Sequence, residues 1–199
     1  MASIFEGPIF DGPLVRNNFK RIMYERIYDS KHNEPVGFSV EELCNIHKNL
    51  YDGFSESRGL PTLDNYSFKY SPTLSTELYN VFLSRLYIIN YSELDRESVI
   101  NNIALFISEI YRLHPFLYGN TRTIAIFVKN FLELQGFEVD IDKFVDNFDE
   151  FKNNVQIASA IYFKKKDTSV EYDGLINFLD DIISTERTYN TGYRTHNHK

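Results

Sequence analysis

Nine residues, HPFLYGNTR at 114–122, separate two segments that both carry the period of an amphipathic helix. Upstream, over residues 101–113, Ile103, Phe106, Ile107 and Ile110 recur three and four apart. Downstream, over residues 123–135, Ile124, Phe127, Val128 and Phe131 do the same, and Gly136 reads as a stop. The joint therefore sets an imidazole at the end of one helix and a glycine-led turn at the start of the next, with Arg122 in its first turn. Backbone N–H groups and the positive end of a helix dipole gather at such a place, which suits an anion.

The rest of the chain repeats the helical period. Residues 14–28 place Phe19, Ile22, Met23 and Ile27 on one face, after a lead-in broken by Gly7, Pro8, Gly12 and Pro13. Ser39, with Glu42 three residues on, reads as a capped start for a helix through Leu43, Ile46, His47 and Leu50 to Tyr51. Pro72 opens another, with Leu74, Leu78, Val81, Phe82, Leu86 and Ile89 on its apolar face, and residues 90–95 connect it to the next. Beyond Gly136 the pattern predicts helices over 141–151, 153–163 and 174–185. Residues 52–70 lack a helical period, and Tyr66, Ser67, Phe68, Lys69 and Tyr70 alternate polar and aromatic, as a short hairpin would. A loop that long inside a compact domain is usually functional. The expected fold is all-α, with an N-terminal helical extension over 1–38, a helical domain over 39–185 and a disordered tail over 186–199.

Composition narrows the function classes. With 199 residues and 43% hydrophobic content the chain can bury one core of ordinary size. A net charge of −7 and a pI near 5.3 leave no basic face for nucleic acid. The basic run Lys164-Lys165-Lys166 reads as a solvated helix end. A single cysteine, Cys44, excludes a disulfide within the chain and a thiolate zinc site, and reads as a buried structural thiol. No apolar run reaches the ~18–20 residues of a membrane span. The N-terminus MASIFEGPIF lacks the basic flank and apolar core of a secretory signal, so a cytoplasmic protein is expected, with export by another route left open.

On chemistry alone, His114 is the side chain best poised for proton transfer near neutral pH. Gly119 lets the backbone approach a phosphate, Asn120 can fix the turn, and Arg122 can pair with phosphate oxygens. A base beside a phosphate site suggests transfer of a phosphoryl or nucleotidyl group to a hydroxyl. Spacing alone leaves a second reading open, a plain helix corner in which His114 caps a C-terminus and Arg122 meets a surface acid. His47 reads as a satisfied, partly buried histidine. His32 sits in a polar turn, and His196 and His198 fall in the tail. No metal spacing, Gly-x-Ser-x-Gly elbow or Gly-x-Gly-x-x-Gly loop is present.

The motif resembles the signature of the Fic (filamentation-induced-by-cAMP) family, His-x-Phe-x-(Asp/Glu)-Gly-Asn-x-Arg. His114, Pro115, Phe116, Gly119, Asn120, Arg122 and Thr123 match it, the two flanking helices resemble the family's central pair, and EELCNIHKNLYDGF resembles the helix before its long loop. The resemblance spans roughly residues 39–140. It implies a mostly helical bundle with a short β-hairpin flap at residues 66–70 that holds a target segment. It also implies transfer of AMP, or another phosphate-containing group, from ATP or another nucleotide to a Ser, Thr or Tyr hydroxyl of a target protein. His114 would be the base, Gly119, Asn120 and Thr121 the anion-binding turn, Arg122 a phosphate ligand and Phe116 a core anchor. Two departures stand out. Tyr118 occupies the position of the acid that holds Mg²⁺ in the family, and a phenol with a pKa of about 10 is a poor ligand for a hard dication. Ala125 occupies the position of a second arginine, and no inhibitory (Ser/Thr)-x-x-x-Glu-(Gly/Asn) helix matches in full. Besides a divergent transferase, this pattern admits a catalytically weak module that binds a nucleotide or protein. It also admits a toxin whose inhibitor or antitoxin is a separate chain.

Overall fold

Ser39 accepts the backbone N–H of Glu42 at 3.2 Å and opens helix α1, Val40–Tyr51. A computed structural model of the chain describes Arg21 and residues 38–51, 72–116, 119–159 and 172–187. The expected helix over 14–28, apart from Arg21, and the expected hairpin at Tyr66, Ser67, Phe68, Lys69 and Tyr70 lie outside the described residues, as does Tyr118.

Among the described residues the fold is all-α. After α1 come α2, Pro72–Phe82, α3, Arg96–Leu113, and α4, Asn120–Leu134. Then follow α5, Ile141–Asp146, α6, Phe148–Ser159, and α7, Asp173–Ile182. Asp95 starts α3 by accepting the N–H of Ser98 at 2.7 Å, and Asp140 starts α5 by accepting that of Lys143 at 2.9 Å. α3 is the hub: α2, α4, α6 and α7 all pack on it, and α1 packs on α4. From Asn120 to Lys129 every residue of α4 is buried, so this helix is core on all faces. Phe82, Phe106, Phe127, Phe131, Tyr91 and Phe38 fill the space around it with mostly edge-on ring pairs.

Several boundaries differ from the periodic reading. The helix expected over 141–151 is broken at Asn147, whose side chain donates to the Lys143 carbonyl at 2.9 Å while its own carbonyl accepts from Phe151. Asparagine competes with the helix ladder in this way, so two helices form where one period was visible. The helix expected over 174–185 stops at Ile182, because Ile183 pairs with Val139 in one antiparallel bridge. Two further bonds hold that bridge, Asp140 N–H to Ile182 and Ser184 N–H to Glu138. The helix from Pro72 widens into a π turn at Leu83–Tyr87. There the Arg85 guanidinium forks onto Glu109 of α3 at 2.5 and 3.0 Å, and the Tyr91 hydroxyl donates to the Arg85 carbonyl at 2.7 Å. Of the tail expected over 186–199 only Glu186 and Arg187 are among the described residues, and Arg187 donates to the carbonyls of Tyr91, Ser92 and Leu94.

Candidate active site

The α3–α4 joint turns the chain through two left-handed residues. His114 ends α3 at φ 45°, ψ 62°, and Gly119 opens α4 at φ 72°. Among the described residues His114 is the one non-glycine with positive φ. Histidine tolerates that region better than most side chains, yet a β-carbon there still costs about 1–2 kcal/mol. The surroundings hold it. Its N–H donates to the Tyr111 carbonyl at 3.1 Å, its Nδ1 meets the same carbonyl, and its ring lies edge-on to the Tyr111 ring with centroids 4.6 Å apart. A carbonyl oxygen only accepts, so Nδ1 carries the hydrogen. In the neutral imidazole Nε2 is then the basic nitrogen.

The far side of the joint is pinned by Asn120. Its Oδ1 accepts the Phe116 N–H at 3.0 Å and its Nδ2 donates to the Phe116 carbonyl at 2.9 Å, with the whole side chain out of water. Asparagine is the residue that can satisfy a donor and an acceptor of one residue together. Phe116 is fully buried, and its ring lies flat on His47 of α1, centroids 4.0 Å apart and planes 10° apart. Thr123 closes the first turn: its N–H and its hydroxyl both reach the Gly119 carbonyl, at 3.0 and 2.9 Å. Gly119 has no side chain with which to cap α4, so the helix presents its positive end to the joint through backbone alone.

The four sequence-chosen residues of the turn, Gly119, Asn120, Thr121 and Arg122, are all buried at the start of α4, and His114 closes α3 on the other side of the joint. Arg122, 7% exposed, lies over the Phe148 ring of α6 at 5.4 Å from its centroid. That contact adds a cation–π attraction to whatever else holds the guanidinium. Two contributors were not marked as site residues from the sequence. His47, expected from the sequence to be partly buried, is 2% exposed, and its stack on Phe116 joins elements 69 residues apart. Tyr111 carried a faint signal, standing one helical turn before His114.

His114, Asn120, Thr121 and Arg122 bring no carboxylate to the joint, Tyr118 is a phenol, and a hard dication takes oxygen ligands of which some are charged. Among the described residues no three of His, Cys, Asp or Glu stand together as a metal site. What the arrangement offers is one oriented base next to a helix start that favours negative charge, with an arginine held in the first turn.

The model of the Fic/DOC family matches residues 37–132, from just before α1 to the last turns of α4, and the match encloses the joint. No curated protein matches the chain.

Proposed function

Because residues 37–132 carry a Fic/DOC-family domain, we propose that the chain transfers AMP, or another phosphate-containing group, from a nucleotide to a hydroxyl side chain of a target protein. The observation that carries this reading is the contact of His114 Nδ1 with the Tyr111 carbonyl, from which the tautomer is assigned. With Nδ1 held by the Tyr111 carbonyl, Nε2 is the proton acceptor, and it stands at the joint with the α4 N-terminus. In the AMP case the target Ser, Thr or Tyr gives its proton to His114 Nε2 as its oxygen bonds to the α-phosphorus. The bond from that phosphorus to the β-phosphate bridging oxygen breaks, and pyrophosphate leaves. The first-turn amides of α4 and Arg122 carry the charge on the phosphate oxygens. Among the described residues no helix is long and apolar enough to cross a membrane, and a cytoplasmic target is part of the proposal.

A second reading, a weakly catalytic module that binds a nucleotide or a partner protein, draws on Tyr118 and Ala125. The first leaves the motif without its acid, and the second, fully buried, leaves it without a second arginine. The two separate on one experiment. Purified protein is incubated with labelled ATP, GTP, UTP and CDP-choline and a cell lysate. The transferase labels protein, and His114→Ala lowers labelling by at least 100-fold. Tight nucleotide binding with no label from any donor sinks the transferase and leaves the module. Tyr118→Glu is expected to make transfer Mg²⁺-dependent and faster; an unchanged rate would show that the missing acid does not limit this site.

A further inference from the structure

We infer that His47 is a positioning residue for the base: its ring, stacked on Phe116, holds the joint that keeps His114 in its left-handed conformation. The consequence for turnover rests on the transferase reading, whereas the consequence for loop order can be measured without it.

The argument starts from how Phe116 is held. Its N–H and carbonyl are both taken by Asn120, and its ring is covered by His47 at 4.0 Å with planes 10° apart. The Phe38–Phe127, Phe82–Phe106, Phe82–Phe127 and Tyr91–Phe131 pairs meet edge-on, at 74° to 86°, and the other stacked pair, Phe106–Phe127, is tilted by 30°. Flat stacking is a different constraint. A parallel partner at this distance lies along the face of the ring and resists its tilting. Phe116 is thus held against tilting from α1 and by two hydrogen bonds from α4.

His114 lies two residues before this anchor. On its other side it is tied to Tyr111 by its own N–H and by Nδ1. A side chain with positive φ relaxes toward the ordinary region unless the chain is held on both sides. Tyr111 supplies one hold and Phe116 the other. The role we assign to His47 is carried by its ring, through the stack on Phe116.

Four variants test it: His47→Ala, which removes the ring; His47→Phe, which keeps a ring without nitrogens; His47→Gln, which keeps polarity and length without a ring; and Leu50→Ala. Leu50 is buried on the same helix face and shows what a cavity in α1 does by itself. Amide exchange of Phe116 is read by NMR and compared with global stability from urea unfolding. His47→Ala should raise Phe116 exchange at least tenfold beyond Leu50→Ala, and His47→Phe should return it to within threefold of the parent. In transfer assays His47→Ala should lower kcat at least tenfold with the donor KM within twofold, and His47→Phe should recover it. Equal loop exchange in His47→Ala and Leu50→Ala overturns the inference, as does recovery by Gln in place of Phe. If His47→Ala does not fold, the Phe and Gln variants decide by the same comparison. If the parent chain transfers nothing, the transferase reading falls and the exchange measurement alone settles the role of His47.

Discussion

At the scale of single residues, the joint depends on side chains that satisfy backbone groups. Asn120→Ala strips Phe116 of the partner for its N–H and the partner for its carbonyl in a place without water. A loss of about 2–4 kcal/mol in unfolding free energy is expected, from two hydrogen bonds and the desolvation they offset. Asn120→Asp should recover less than half, since a carboxylate can accept from the N–H but has no donor for the carbonyl; full recovery in urea titrations would contradict this geometry. Cys44 gives a second test. Burial, with Glu41 beside it, lifts its thiol from 9.0 to about 11. Between those two pH values the unfolded chain has lost a proton that the folded chain keeps, so stability falls as pH rises through that window and is unaffected below it. Burial also raises the Tyr91 hydroxyl, which adds to the loss at the alkaline end. Cys44→Ala should therefore flatten the decline in the urea midpoint between pH 9 and 11 without abolishing it, and identical slopes would exclude the thiol. The residue types at the joint were legible from the motif and its spacing. The His47–Phe116 stack and the Arg122–Phe148 contact were not, because each joins segments whose meeting is decided by the packing of whole helices.

Elements are legible where a local signal marks them. Ser39 and Asp95 cap α1 and α3 within three residues of their acceptor contacts, and α4 follows a glycine that local sequence alone predicts. What the period hides is a break made by one side chain, as at Asn147, or by a distant partner, as where Val139 halts α7 by pairing with Ile183. The π turn at Leu83–Tyr87 is of the second kind, held by Glu109 and Tyr91 from outside it. Between α6 and α7 a contact of this sort can be measured. Asn154 Nδ2 donates to the Gly174 carbonyl at 3.0 Å, and a β-carbon on Gly174 would come within 2.8 Å of Asn154 Oδ1. Alanine gains up to about 1 kcal/mol over glycine in a helix. Gly174→Ala must push Asn154 aside, and the lost bond, about 0.5–1.5 kcal/mol, cancels the gain. In an Asn154→Ala background the same substitution should stabilise by about 0.5–1 kcal/mol. A double-mutant cycle in urea reads the coupling, and strict additivity would show that the two helices do not meet through this pair.

For the whole molecule, the all-α class and the placing of a phosphate-suited turn between two buried helices follow from hydrophobic period and one motif. The C-terminal boundary does not, because its closure is made by arginines acting across the chain. Arg96 at the start of α3 donates to the carbonyls of Asp180, Ile183 and Ser184 and meets the Asp180 carboxylate. Arg187 runs the other way. It donates to Tyr91, Ser92 and Leu94 at 2.8, 3.1 and 2.7 Å and lies 4.8 Å over the Phe137 ring. The two clasps fasten the segment after α7 onto the connection before α3, which composition alone had marked as the edge of a tail. Hydrogen bonds from a charged donor are each worth about 1.5–3 kcal/mol when buried and less where water competes. Arg187→Ala should therefore cost about 2–3 kcal/mol in total. Arg187→Lys should recover only a minor part, because one ammonium cannot fork across three carbonyls while lying flat on a ring. The hydrogen bonds described at the joint between α3 and α4 are made by Tyr111, Asn120 and Thr123 and not by Arg96 or Arg187. Nucleotide binding and any transfer measured well below the melting temperature should then stay within twofold of the parent in both variants, while the melting temperature falls. A drop in site function that tracks occupancy of the clasp at constant folded fraction would mean that the C-terminal closure reaches the joint through α3.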